Sequence, residues 1–459
     1  MTANLTPRGL AEEVKAKHAQ KFKAEAQGKG AALLGIELEF PMVSSDSNRF
    51  GHALRLSEVK EVFRHIGAKP SWELTAQGLD AEIRMGGGVA TINAEAGFST
   101  LEIALPPASS IRHAGVMIEN LVVTTLEAAQ ANNAYVLGYG VHPINPPSLD
   151  LYCPRDRSNT MRFLRQRLTN IQDDNSDLGN TISASVQFHV EVKNPDHAIT
   201  VLNVFNGLAP EFIALSANSR ISRGTDTGEF DIRNRFYEKY TRYPIVGGVA
   251  PKMHDFDDYL NILGSMPVLL LKRGANYVAV LEEITLAQFI ERGKTTAVIA
   301  GQNKPFEVHF EIGDLDVAES MVRWEARAKA TTGTVELRTC SMQQSKSDIL
   351  ALGSAVLGLS VNLNRAAALI ADRTREDAQY AKEEISKYGM AGYPSVQASA
   401  KAMLDIAKEG LESIGEDTKY LQILYDRLRD ATTPSEKSFE IYQKEGIRPF
   451  IESLRFQLD

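Results

Sequence analysis

Cysteine is nearly absent from this chain: Cys153 and Cys340 are the only two in 459 residues. Two thiols cannot build a disulfide framework or a multi-thiolate zinc site. Long apolar runs are scarce as well. The most apolar stretches, 266–271 and 349–363, are too short or too interrupted by Ser and Asn to cross a bilayer, so no membrane contact is expected. Residues 1–30 interleave Lys and Glu with Ala, as an amphipathic helix does, and lack the apolar segment of a signal peptide. The cytoplasm is therefore the default compartment. Basic excess is missing too: 50 Lys+Arg against 58 Asp+Glu leaves a net charge of −8. Such a chain has no surplus to neutralise a phosphate backbone, which argues against nucleic acid as a partner. Phosphate-loop, dinucleotide-binding, H-E-x-x-H and G-x-S-x-G motifs are all absent. The glycine run at 86–88 has no helix after it and reads as a turn.

What is present is ordinary globular composition, 43% hydrophobic and 24% charged. Strands are expected where short apolar alternation is bounded by turn residues: 34–40, 89–92, 100–105, 136–141, 184–192 and 334–338. Helical spacing marks 110–132 and 197–216, then 347–374, 395–413, 418–430 and 435–456, with Ser435 the N-cap of the last. Strands mixed irregularly with helices, followed by a helical final quarter, predict an α+β fold. Length alone suggests three domains. With no linker or repeat in view, we expect instead a catalytic region, 1–345, and a helical region, 346–459, packed as one continuous unit.

The chemistry lies in the strands. Glu37 and Glu39 share one strand face, Glu102 sits between two apolar neighbours with Glu95 seven residues before it, and Gln187, His189 and Glu191 align. Glu336 and Arg338 repeat the pattern. A single pair of this kind is ordinarily a solvated face. Together they are too rich in Glu and too poor in Lys for that, because same-face carboxylates repel unless a cation lies between them. Hard cations such as Mg²⁺ take carboxylate oxygens while leaving positions open for phosphates. The set therefore reads as a Mg²⁺–nucleotide site on a sheet face, with Gln187 and Glu191 beside the nucleotide. The segment 220–242 adds Arg220, Arg223, Arg233, Arg235 and Arg242, a dense supply of guanidinium for carboxylate or phosphate. Arg233, Arg235 and the nearby Asn218 are candidate substrate-binding residues, although Asn218 also reads as a helix cap. Cys340 is expected to be a packing residue and Cys153 to lie in an exposed loop; His142 and His309 are expected to be structural.

The segments G-I-E-L-E-F (35–40), S-T-L-E-I-A-L-P-P (99–107), the His189 strand, A-L-S-A-N-S (214–219), the Arg233 loop, I-T-L-A-Q-F (284–289), V-E-L-R (335–338) and T-T-P-S-E-K (432–437) follow one another in order. In this order they resemble the glutamate–cysteine ligases of the plant and proteobacterial type, within the carboxylate–amine ligase superfamily. The resemblance implies a glutamine-synthetase-like curved antiparallel sheet flanked by helices. It also implies ATP and Mg²⁺, with Glu37, Glu39, Glu102 and Glu336 as metal ligands and Glu95 as a further acidic residue. His189 would lie near the metals, Arg233 would hold the amino-acid substrate's carboxylate, and Arg338 would meet the transferred phosphoryl group. The implied partners are small molecules: glutamate, an amine acceptor and ATP; a homodimer is compatible with this reading. The residues of the family's cysteine pocket have no clear match, which leaves a different acceptor amine or a different carboxylate open. The proton acceptor stays open among His189, Glu191 and Glu95.

Overall fold

The computed structural model describes residues 12–26, 33–75, 77–85, 88–167, 176–238, 246–302 and 304–459. Nine strands form the main sheet: β1 (Leu34–Ser44), β2 (Trp72–Leu74), β3 (Asp80–Met85), β4 (Gly88–Ala94), β5 (Thr100–Ala104), β6 (Ala134–Val136), β7 (Val186–Glu191), β8 (Ala326–Lys329) and β9 (Thr334–Leu337). Their order is β8-β9-β7-β1-β5-β4-β3-β2, every pairing is antiparallel, and β6 pairs the far end of β1. The β1–β7 ladder reaches Leu38↔Val186 and the β1–β6 ladder runs from Met42↔Val136. Pro41 falls between them, where its missing N–H costs no ladder bond.

Period-two alternation gives the sheet two unlike faces. Leu34, Ile36, Leu38, Ile103, Val186, Phe188, Val335 and Leu337 are buried together on one face. Against it pack the helices Ile111–Ala131 and Lys346–Val361. Ser110 caps the first by accepting from the His113 N–H, and Ser345 caps the second through the Asp348 N–H. Helix Lys346–Val361 is apolar on all sides because it lies between the sheet and helix Ser395–Ser413. A single hydrophobic cluster runs from Phe22 to Phe456.

The fold is α+β, as composition and periodicity predict, with several differences of detail. Helix 197–216 divides into Pro195–Gly207 and Ala209–Ser216, bent by 52°, where Pro210 cannot donate back to the preceding turn. Helix 347–374 becomes Lys346–Val361 and Leu363–Leu369, with a 97° bend. Helix 435–456 breaks at Gly446, and its N-cap is Thr433 rather than Ser435. The strand expected at 136–141 is only Ala134–Val136. Helix Arg375–Gly392 and a four-stranded sheet (Leu270–Arg273, Asn276–Val280, Lys294–Ile299, Phe306–His309) carry no strong periodic signal and escape sequence reading. Cys153 is buried rather than exposed. Among the described residues, no single helix is long and apolar enough to cross a membrane.

Gly358 and Gly410 let helices Lys346–Val361 and Ser395–Ser413 touch backbone to backbone, since a Cβ at Gly358 would overlap the Ala407 carbonyl. Gly→Ala within a helix is normally stabilising. Here Gly358→Ala should instead lose about 1–3 kcal/mol through overpacking. Urea unfolding measures this, and a variant as stable as the parent would contradict the close approach.

Candidate active site

The polar face of the sheet carries its charges in rows set by register. Arg327, Glu336, His189 and Gly35 lie side by side on β8, β9, β7 and β1. The next row pairs Gln187 with Glu37, and the next pairs Glu39 with Glu102 and Glu102 with Asn93. Gly35 has a local reason: a Cβ there would stand 3.0 Å from that of His189. Glu95 follows directly on β4 where the chain turns into β5, its N–H bonded to the Thr100 carbonyl. The turn returns it beside Glu102, so seven residues of separation become one cluster.

Carboxylates thus converge in two groups, Glu37/His189/Glu336 and Glu39/Glu95/Glu102, with one ligand atom from each residue of a group within 4.8 Å of the others. Their electrostatics are opposite. Glu336 is fully buried and receives Arg327 Nε at 2.5 Å and Arg338 Nη1. Burial works against its charge, yet the two guanidiniums hold its carboxyl well below the ordinary range. Glu37 lies 3.1 Å from His189 Nε2 and 3.3 Å from Lys329 Nζ. Burial alone would raise it, but these partners bring it down to about 2. Among the described residues, no such counter-ion is in contact with the second group. Glu39 accepts from the Ser185 N–H and hydroxyl, both at 2.6 Å, and from Gln187 Nε2 at 2.7 Å. Burial and the Glu95 charge still push it up to about 7. Burial and the charges of Glu95 and Glu37 raise Glu102 well above the ordinary value.

Arginines share a cavity of about 250 Å³ with these carboxylates. Glu37, Glu39, Glu95, Glu102 and Gln187 line it together with Arg155, Arg157, Arg323, Arg327 and Arg338, and with Tyr152, Ser158, Asn180 and Ser320; Arg327 and Arg338 stand beside Glu336 on the sheet itself. Helix Asp156–Arg167 lies against strand Asn276–Val280 and contributes Arg157, which donates to the Ser320 carbonyl at 3.2 Å. Burial, then the charges of Arg323 and Arg327, lowers the Arg157 pKa to about 10, the signature of positive charge in excess of local anions. Past Glu37 lies a second cavity of about 250 Å³, with Leu33, Ile36, Leu105 and Pro107 on its apolar side and His189, Glu191 and Lys329 on its polar side.

The face holds Glu37, Glu39, Glu95, Glu102, Glu336, Gln187, His189, Glu191 and Arg338 together. Arg233, Arg235 and Asn218 are elsewhere. Arg233 is 1% exposed, does not line the cavity, and spends Nη1 on the Thr339 carbonyl at 3.0 Å and Nη2 on the Arg338 carbonyl at 2.9 Å. Arg235 pairs with Glu229 at 2.5 Å, and Asn218 ties the Gly138 and Met342 carbonyls, each at 2.8 Å. All three side chains are engaged by these partners and none lines the cavity. The arginines that do line the cavity, Arg155, Arg157, Arg323 and Arg327, escape sequence reading. A signal existed, since Arg323, Arg327 and Lys329 recur at odd positions beside buried Ala326 and Ala328. Burial pushes the thiols of Cys153 and Cys340 up to about 11 and about 12, which suits packing and not nucleophilic attack.

Fold and site together describe a carboxylate-rich antiparallel sheet face sharing a cavity with arginines. Residues 33–452 match the family model of glutamate–cysteine ligase family 2. The chain belongs to this family. It is 24% identical over 331 residues to a Dechloromonas aromatica protein named "Putative glutamate--cysteine ligase 2", covering 70% of each chain. Solved structures of similar fold include a glutamate–cysteine ligase from Francisella tularensis in complex with AMP: TM-score 0.54, 13% identity, 93% of this chain and 87% of that one. A bifunctional glutathione synthetase from Pasteurella multocida gives TM-score 0.52 at 13% identity over 96% of this chain. The present chain spans only 53% of that larger protein.

Glu39 titrates near 7 when folded, against an ordinary 4.5. A carboxyl that holds its proton more tightly when folded stabilises the fold at low pH and loses that contribution as pH rises from about 4.5 to about 7. In chelator, the melting temperature of the parent minus that of Glu39→Gln should therefore fall across this window. A flat difference would mean that Glu39 ionises like an exposed carboxylate.

Proposed function

We propose that the protein is an ATP-dependent ligase that activates the γ-carboxylate of glutamate as an acyl phosphate and joins it to the amine of cysteine. The observation that carries this reading is that the Glu39/Glu95/Glu102 group and five arginines line one cavity. Membership of the glutamate–cysteine ligase family supports it.

Three converging oxygen donors, two of them raised in pKa by burial and by the Glu95 charge, fit a hard divalent cation. Glu39, Glu95 and Glu102 would hold Mg²⁺, which when bound would neutralise the charge of the ATP phosphates. The Glu37/His189/Glu336 group already has Arg327, Arg338 and Lys329 as counter-ions. Its role is then to fix those cations in place. The apolar side of the second cavity suits a nucleobase, with the phosphates passing Glu37 towards the arginines.

A carboxylate does not react with an amine unaided, because its oxygen is a poor leaving group. A γ-carboxylate oxygen of glutamate attacks the terminal phosphorus of ATP, the bond to ADP breaks, and Arg338 and Arg327 offset the charge on the phosphoryl oxygens. Arg323 and Arg157 are placed to grip the α-carboxylate, leaving the γ-carboxylate to meet the phosphoryl group. The amine then attacks the acyl carbon, inorganic phosphate departs, and the amine's proton passes to a base among His189, Glu191 and Glu95. Exclusion of water from this step protects the acyl phosphate.

The acceptor is tested by supplying Mg-ATP and glutamate with a panel of amines, reading phosphate release and the amide product by mass spectrometry. Cysteine should stand out; product from another amine alone would move the protein to a different carboxylate–amine ligation. Arg323→Ala should raise the glutamate KM on the order of tenfold or more. Arg233→Ala should lower stability and kcat while leaving the ratio of glutamate to ATP KM unchanged. A selective rise in glutamate KM for the Arg233 variant would restore it as the carboxylate clamp.

A further inference from the structure

Helix Glu12–Ala26 precedes the family-matched segment 33–452 and is polar along most of its length. Two of its side chains, His18 and Phe22, are nonetheless 0% exposed. Phe22 meets Phe256 edge-on, with ring centroids 5.7 Å apart. His18 Nε2 lies 2.8 Å from Glu319 Oε1, so its N–H donates to a carboxylate that is itself 4% exposed. The Tyr259 hydroxyl donates to the same oxygen at 2.6 Å, and the Ala330 N–H donates to the other at 3.1 Å. Lys21 adds a pair to Asp316 at 2.6 Å.

Glu319 is a junction. It belongs to helix Asp314–Met321, and through Ala330 it fixes the end of β8, the strand that carries Arg327 and Lys329. The next residue, Ser320, lines the cavity. Its carbonyl accepts from Arg157 at 3.2 Å and from Arg327 at 3.1 Å, and its hydroxyl accepts from Arg157 at 3.1 Å. Three consecutive links therefore join His18 to two arginines of the cavity wall: His18 to Glu319, Glu319 to Ser320 along the backbone, and Ser320 to Arg157 and Arg327.

A carboxylate this deeply buried is held in one place only when its oxygens are fully partnered. Without His18 the Oε1 atom keeps a single donor, and helix Asp314–Met321 loses its inner anchor. Ser320 then need not keep its carbonyl aimed at both guanidiniums. Released, these would repel one another or turn to the nearby carboxylates. We propose that His18 is a positioning residue: the N-terminal helix, through His18 and Glu319, sets the Ser320 carbonyl and thereby the aim of Arg157 and Arg327 into the cavity. This rests on the reading of that cavity as a Mg-ATP site.

The test compares full-length parent, His18→Leu, His18→Gln, Tyr259→Phe and the exposed control Lys17→Ala. Hydrogen exchange of segment 319–330 is read without ligand, and Mg-ATP affinity is read by calorimetry. His18→Leu should lose protection in 319–330 and bind Mg-ATP about three- to tenfold more weakly. His18→Gln, which can still donate to Glu319, should recover most of both, and Lys17→Ala should match the parent. Tyr259→Phe, which removes only a hydroxyl, should shift both readings in the same direction by less and serves if His18→Leu does not fold. Parent-like exchange in 319–330 overturns the inference, and so does loosened exchange with unchanged Mg-ATP affinity. A parent protein that does not bind Mg-ATP overturns the proposed function, and the exchange data then decide the role of His18 alone.

Discussion

Like charge confined on one sheet face is the constraint from which the rest of this structure follows. Register sets Glu39 directly opposite Glu102, and the β4–β5 turn adds Glu95. Carboxylates so placed and buried repel by an amount that a protein interior screens poorly. The fold manages this asymmetrically. Around Glu336 and Glu37 it supplies Arg327, Arg338, Lys329 and His189, and both acids are held ionised. Around Glu39 and Glu102 the hydrogen-bond donors among the described residues are neutral, from Ser185, Gln187 and Asn93, while the Arg233 and Arg338 charges also act on Glu39. One half of the face is internally neutralised, and the other keeps its carboxylates without a cation in contact among the described residues.

The architecture behind that face serves to keep it still. Helices Ile111–Ala131 and Lys346–Val361 cover the apolar side, and the latter is itself covered by Ser395–Ser413, so the sheet cannot flex away from its charges without opening the core. Arg233 belongs to this supporting set. Its guanidinium bonds the carbonyls of Arg338 and Thr339, and its charge also tempers Glu39 from below. The buried pair Lys382–Glu325, 2.5 Å apart, ties helix Arg375–Gly392 to the residue between Arg323 and Arg327. Such residues carry charge into the interior for geometric reasons, where removing one partner leaves the other uncompensated.

How much was legible in sequence follows the range of the forces involved. The E-x-E of β1, Q-x-H-x-E of β7 and E-x-R around β9 were readable because strand periodicity fixes which side chains share a face before any tertiary contact exists. The α+β class was readable for the same reason. The cavity's arginines were not: Arg155 and Arg157 come from the approach to a helix, Arg323 and Arg327 from short strands about 170 residues away, and only long-range packing brings them together. Local density of arginine, as around the buried Arg233, says nothing about depth. A guanidinium in a surface loop and one spent on buried carbonyls look alike in a one-dimensional chain.

Charge segregation also couples function to stability. Burial and the Glu95 charge raise the pKa of both Glu39 and Glu102, so ionising them with no cation present costs the fold free energy. Any cation that enters relieves it, and its binding free energy is then partly the removal of repulsion already present in the protein. The arginines have the mirror-image condition, with Arg157 depressed by burial and then by the charges of Arg323 and Arg327. A ligand that brings an anion to the arginines and a cation to the carboxylates relieves both at once, whereas either alone relieves only one. Metal and polyphosphate should therefore bind with positive coupling, each raising the affinity for the other by the same factor, as linkage requires. That reciprocity follows from carboxylates and arginines lining one cavity.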